Sequence, residues 1–390
     1  MSDPVHEAPE PSPRSDTGAA SSGLSDLVSG KSVIVCCGSG GTGKTTISAA
    51  IGFAGAGKGL KTCVVTIDPA RRLADALGLE NLDNMPRRIP GDWSGELSAV
   101  MLDAKGTFDD LVARYSESSE QADRILENRL YRNLTSALSG TQEYMAMEKL
   151  YELHSEGGFD LVVVDTPPTR HALDFVDAPR HLYSFLENRV FRLVVMPARA
   201  YMKAMTFAAH ALLRTISRVA GAEIVEDAMT FFRAFEGMEE GFRQRARRVE
   251  ELLADPGTAF MLVVAPREDS IDEARFFAQR LAESSIPVSA LVVNRLFPNF
   301  GSDRPVSGDA VHVRRPGHPS RSSLQDPLAY GELRQNLEEF LLVARREEQY
   351  VAELAEEVAP APVVRVPFLE EDVHDFEGLQ VVAHHLLKGN

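Results

Sequence analysis

One short run carries the densest chemical signal in the chain: Cys37-Gly38-Ser39-Gly40-Gly41-Thr42-Gly43-Lys44-Thr45-Thr46. It satisfies the phosphate-loop spacing, a glycine, four residues, then Gly-Lys and a hydroxyl residue. Gly38, Gly40, Gly41 and Gly43, with Thr42 among them, let backbone N–H groups turn inward around a polyphosphate. A helix starting at Thr45 and Thr46 adds its dipole. Lys44 would bridge the β- and γ-phosphates, and Thr45 would ligate Mg2+ through its hydroxyl. Two carboxylates stand where such a site needs them. Asp165 opens "DTPPTRHALDF" after an apolar run and would hold the Mg2+ hydration shell through water. Asp68 lies in "TIDPARRLADALG", on a loop that could orient or deprotonate the attacking water.

The elements that must position these groups can be read from the apolar pattern. Residues 32–37, "SVIVCC", form a β-branched run before the glycines, and residues 45–58 carry Ala and Ile at helical intervals. Further apolar runs at 62–66, 161–164, 260–264 and 289–293 predict buried strands. Continuous apolar strands need cover on both faces, so the expected class is α/β, a doubly wound and mostly parallel sheet. Residues 107–155 and 178–254 are helical in period and predict an inserted helical subdomain. Residues 297–325 are dense in Gly, Pro, Ser and Asp and predict a flexible loop. A long helix over 329–357 should follow, its acids and arginines forming a solvated face.

With 390 residues and 44% apolar content, the chain can bury a full core. A net charge of −16 argues against nucleic acid as a partner, because that footprint needs clustered Lys and Arg. Residues 1–30 lack the pattern of a signal or transit peptide and read as a disordered tail ahead of a 31–390 domain. No apolar run is long enough to span a membrane, which leaves peripheral contact at most. Cys36, Cys37 and Cys63 lack metal or disulfide spacing, so core packing in a reducing cytoplasm is expected.

Together the loop, Asp68-Pro69-Ala70 with Leu73 and Asp75, and Asp165-Thr166 with Pro168, Thr169 and His171 resemble one family. It is the arsenite-pump and tail-anchored-protein-targeting ATPases, within the larger group that includes MinD and the nitrogenase iron protein. That resemblance implies an ATP-hydrolysing, Mg2+-dependent switch with Asp68 as the water-activating acid and Asp165 at the second switch and magnesium site. It also implies that Asn294 of "VVNRLFP" reads adenine and that Pro367 and Phe368 form the adenine-side loop. An amide can donate and accept at once on an adenine edge, and no guanine-type Asn-Lys-x-Asp follows a strand. A buried strand-end Asn is the plainer reading of Asn294.

The chain departs from the family pattern at three points. Ser39 occupies the place of the signature lysine that reaches across the family's dimer. Pro167 and Arg170 replace small residues of the second switch, and the three cysteines match no arsenite, zinc or iron–sulfur set. The favoured expectation is a heterodimer with a lysine-bearing paralogue, with a homodimer as the alternative and Arg170 as a cation supplied in cis. A non-catalytic nucleotide-binding subunit is one rival. A MinD-like positioning ATPase is another, although "LQVVAHHLLKGN" is short for a membrane anchor. The helix expected over 201–220 has a methionine-bearing apolar stripe, which could meet a hydrophobic client, a lipid surface or simply the subdomain's own core.

Overall fold

The computed structural model describes residues 24–68, 72–129, 131–132, 141–167, 230–231, 234, 237–298 and 327–388. A helix α1 (Ser25–Gly30) leads into β1 (Val33–Cys37), the loop, α2 (Lys44–Gly57) and β2 (Lys61–Thr66). Then come α3 (Arg72–Ala76), β3 (Arg87–Ile89), β4 (Glu96–Met101), α4 (Ala104–Tyr115), α5 (Ser119–Leu126), α6 (Thr141–Ser155) and β5 (Leu161–Asp165). The C-terminal half holds α7 (Glu239–Ala254), β6 (Thr258–Val264), α8 (Glu268–Glu283), β7 (Val288–Leu296), α9 (Pro327–Glu357), β8 (Val363–Pro367) and α10 (Phe376–Lys388).

The strands make one sheet in the order β3-β4-β2-β5-β1-β6-β7-β8. Every pairing is parallel except β3 with β4. Along β1 the residues alternate between two hydrophobic cores. Ile34 and Cys36 pack with Ile47 and Ile51 of α2 and Leu379 and Leu386 of α10. Val33, Val35 and Cys37 pack with Leu150 of α6, Val249 of α7, Phe277 of α8 and Val351 of α9. Both faces are therefore covered, which is why the strands read as unbroken apolar runs.

Three strands lie beyond the five expected. β3, β4 and β8 sit on or next to the sheet's edges, where one side needs less apolar cover, and their runs are broken by Arg88, Ser98 and Arg365. The expected tail also ends earlier than residue 30. Leu24 and Val28 are each 1% exposed in the core, and the Leu24 N–H donates to the Leu386 carbonyl at 2.9 Å. Two apolar residues one helical turn apart suffice to dock that turn on α10.

A third hydrophobic cluster stands apart from the sheet. It joins Leu111 and Val112 of α4, Ile125 of α5, Tyr144 and Met145 of α6, and Phe242 and Ala246 of α7, with Tyr131 and Phe231 between them. Helices α6 and α7 belong to both this cluster and the sheet core. Where they cross, Arg245 (4% exposed) donates through Nε to Glu148 (2% exposed), and Nη1 reaches Glu156 Oε1 at 2.9 Å. The Arg114 fork closes on the same Glu156 at 2.9 and 3.0 Å, holding that carboxyl down at about 2. Burial pushes Glu148 up by more than the Arg245 guanidinium pulls it down. The first 23 residues, residues 168–229 with the helix expected at 201–220, and the loop from 299 onward lie outside the described residues.

Candidate functional site

β1 ends at Cys37 and α2 begins at Lys44, so the residues between must reverse the chain at the sheet's carboxyl edge. Gly43 has φ +88° as the first residue ahead of α2, a left-handed geometry that favours glycine. A Cβ on Gly38 would collide with the Val263 carbonyl of β6, so the loop lies flush on the neighbouring strand. Thr42 Oγ1 donates to the Ser39 carbonyl at 3.0 Å, and Lys44 Nζ donates to the carbonyls of Gly38 and Ser39, each at 2.9 Å. The lysine thus curls over its own loop. Burial lowers its pKa, and Asp165 is the leading charge opposing that shift.

Asp165 closes β5, in register with Cys36 of β1 and Thr66 of β2. Its Oδ2 accepts from Thr45 Oγ1 at 2.8 Å and from Thr66 Oγ1 at 2.9 Å. Its Oδ1 is buried with no hydrogen-bond partner. Burial raises the carboxyl to about 6, against the pull of the Thr45 and Thr66 hydroxyls and of Lys44. An orphaned carboxylate oxygen beside a threonine hydroxyl fits a hard cation that keeps several waters. Among the described residues no group of three or more His, Cys, Asp or Glu could form a protein-only metal cage. Magnesium, held by few protein ligands plus substrate phosphates, suits that donor set.

Thr66 also accepts from the Asp68 N–H at 3.3 Å, so one hydroxyl ties both acidic loops together. The Asp68 side chain, 21% exposed, meets Arg72 Nη1 at 3.4 Å. Loop and switch residues line a cavity of about 340 Å3: Gly40, Gly41, Gly43, Lys44, Thr45, Thr46, Asp68, Arg72, Asp75, Ala76 and Thr166 on one side, Arg295, Val373 and His374 on the other.

Asn294 Nδ2 donates to the Thr42 carbonyl at 2.8 Å, and its Oδ1 accepts from the Arg295 N–H at 3.0 Å. In this structure the amide therefore braces the phosphate loop. A Cβ on Gly43 would collide with it. Pro367 and Phe368 do not line this cavity. Pro367 pairs with Leu296 and lines a separate space of about 450 Å3 with Arg365 and His385, while Phe368 is 57% exposed. Pro367 ends β8, which is separated from β1 and its loop by β7 and β6, and Phe368 follows it. Arg170, Pro168, Thr169 and His171 lie outside the described residues.

Ser39 is buried, and its hydroxyl donates to Ser270 Oγ in the first turn of α8 at 2.9 Å. Ser270 Oγ also accepts from the Ala265 N–H at 3.1 Å. Position 39 is thus anchored within its own chain. Cys36, Cys37 and Cys63 are fully buried, and desolvation raises all three thiols, the last two to about 12. Such thiols are inert core residues. Thr66, Ser270, Arg72, Arg295, Val373 and His374 join this region without an expectation from the sequence. Thr66 ends an apolar strand just before Asp68 and Arg295 adjoins Asn294, whereas Val373 and His374 carry no signal.

A sequence profile for anion-transporting ATPases matches residues 31–308. A protein of Aquifex aeolicus named as an arsenical pump-driving ATPase is 25% identical over 361 residues, 90% of this chain and 77% of that protein. The ATPase get3 of Aspergillus terreus is 24% identical over 348 residues, covering 88% and 86%. An uncharacterized protein of Streptomyces coelicolor, SCO2128, is 29% identical over 284 residues, covering 72% and 67%.

Proposed function

The chain belongs to the anion-transporting ATPase family, and from that premise we propose that it is an ATP-hydrolysing switch whose nucleotide state repositions its helical layer. The observation that carries this reading is the convergence of Thr45, Thr66 and Lys44 on Asp165, whose second oxygen is left without a partner. Bound magnesium would neutralise phosphate charge there. Lys44 would leave the loop carbonyls for the β- and γ-phosphates, and the loop N–H groups would hold the chain of phosphates. Asp68, linked to the same Thr66 hydroxyl, would accept a proton from the attacking water. Arg72, beside Asp68, orients that carboxylate.

Calorimetry with Mg·ATP tests the site. The wild type should bind, and Lys44→Ala should weaken binding by roughly ten- to hundredfold, the usual loss for a charge-assisted contact. Unchanged affinity in that variant refutes the assignment.

Assembly with a lysine-bearing paralogue extends the proposal. Ser39 faces Ser270 and brings no charge to the phosphates, so a cation from a partner subunit would complete the transition state, an effect on the order of 10³ to 10⁵ in comparable enzymes. Native mass spectrometry of the protein from its own host should find a heterodimer, and a homodimer refutes this extension. The same serine favours the second reading, a nucleotide-binding subunit without turnover. The name of the Aquifex relative raises export of arsenicals, but three buried, high-pKa thiols are poor ligands for such cargo. The resemblance to tail-anchored-protein-targeting ATPases adds a hydrophobic client on the helical layer to the proposal. Among the described residues no helix is long and apolar enough to cross a membrane.

A further inference from the structure

Among the described residues, two other than glycine have positive φ: Ser285 at 59° and Arg295 at 63°. Ser285 follows the end of α8, where chains often turn left-handed. Arg295 lies inside strand β7, where no turn calls for it. The pairing with β8 shows what it does there. Asn294 faces Val366 and Leu296 faces Pro367, so Arg295 is the extra residue of a bulge. Pairing resumes beyond it, with the Phe368 N–H donating to the Leu296 carbonyl at 2.8 Å. Bulges beside sites of chemistry re-aim a side chain, and a long side chain held left-handed needs a compensating use.

The side chain is aimed at the phosphate loop. Arg295 Nη1 reaches the Gly41 carbonyl at 3.3 Å, while Asn294 Nδ2 holds the next carbonyl, Thr42, at 2.8 Å. The guanidinium is exposed and lines the same cavity as Lys44, Thr45 and Asp68. Three cations line that cavity. Lys44 rests on loop carbonyls close to Asp165, and Arg72 faces Asp68. Arg295 instead rests on a neutral carbonyl at long range, the weakest of the three engagements.

We propose that Arg295 is a nucleotide-binding residue, a guanidinium parked on the Gly41 carbonyl that turns to the phosphates of a bound nucleoside di- or triphosphate. The inference rests on the nucleotide site proposed above. A charged acceptor is about twice as strong as a neutral one, and five N–H donors let the fork hold the loop and an anion together. Strands β2 and β7 lie on opposite sides of β1, so the bulge is the device that brings this charge to the loop from the side away from Asp68.

The test separates side chain from backbone. Glycine adopts the left-handed geometry freely, so Arg295→Gly in the full chain should melt at or above the wild-type temperature without nucleotide. Calorimetry should nonetheless find Mg·ADP and Mg·ATP bound roughly tenfold more weakly. Arg295→Lys should recover part of that affinity and Arg295→Gln none, a contrast that decides the matter if the glycine variant folds poorly. Nucleotide affinity equal to wild type in both uncharged variants overturns this inference alone. Failure of the wild type to bind Mg·ADP or Mg·ATP overturns the nucleotide site and this inference with it.

Discussion

Asp165, held against the cavity-lining Thr45, is 1% exposed and forms with Thr45 and Thr66 a buried floor behind the cavity, whereas at the rim the Asp68 side chain is 21% exposed and faces Arg72 on the short helix α3. The floor is assembled from the ends of β1, β2 and β5, whose register fixes its atoms before any ligand arrives. The rim hangs on a loop and a helix of five residues. Leu73, Ala74 and Ala76 tie that helix to the core, while Arg72 and the partly exposed Asp68 face the cavity. Floor residues should therefore govern whether nucleotide and metal bind, and rim residues what happens to the bound phosphate.

The largest expected effect belongs to the rim. Asp68→Asn should leave Mg·ATP affinity near wild type and cut phosphate release by about 10²-fold or more, because the carboxylate acts on water rather than on resting nucleotide. Equal steady-state rates would erase the distinction between the two carboxylates. A loss of affinity instead would make Asp68 part of the floor.

The floor predicts a dependence on pH. Burial holds the Asp165 carboxyl at about 6 in the folded chain, above the ordinary aspartate value of 3.8. The folded form therefore takes up a proton that the unfolded form releases, a stabilisation present below the lower value and lost as pH rises through about 6. Asp165→Asn, neutral throughout, should melt higher than wild type above pH 6 in the presence of chelator, by the equivalent of about 1–3 kcal/mol. That advantage should close toward pH 4. A difference independent of pH would mean that the buried carboxylate carries no uncompensated charge. With Mg2+ and nucleotide present the order should reverse, since the variant has lost an anionic oxygen.

The smallest effect sharpens the boundary. Ser39→Ala should cost about 0.5–1.5 kcal/mol of stability, the worth of one buried hydrogen bond, and leave ATP affinity unaltered. Thermal melts and calorimetry on one preparation check both. If affinity falls more than stability, the Ser39 hydroxyl belongs to the nucleotide and not to Ser270.

The sequence reveals the central strands better than the sheet edges for a physical reason. Five strands buried on both faces must be apolar throughout, so β1, β2, β5, β6 and β7 are visible as runs. The loop's glycines are dictated by backbone geometry, as Gly43 shows. Edge positions have no such constraint, and "RRI" in β3 or "VVRVP" in β8 resembles a loop. Val373 and His374 come to the cavity only because β8 returns beside β7 and its following segment crosses the carboxyl edge. Spacing along the chain cannot encode that meeting. Residue type announces an amide at Asn294, but only its position against Thr42 shows that it holds the phosphate loop in this structure.

Helices α6 and α7 each lie with one end against the sheet and the other inside the separate helical cluster. They act as two shafts through one bearing, pinned by the buried Arg245–Glu148 pair where they cross. Withdrawing Arg245 would strand Glu148 out of water, at a cost of about 3–5 kcal/mol, whereas Arg245 would keep its bond to Glu156. Relative sliding of the two shafts is thereby penalised, while turning both together is not. Under the proposed nucleotide switch, a displacement of the strand ends would therefore reach the outer cluster through both helices as one unit.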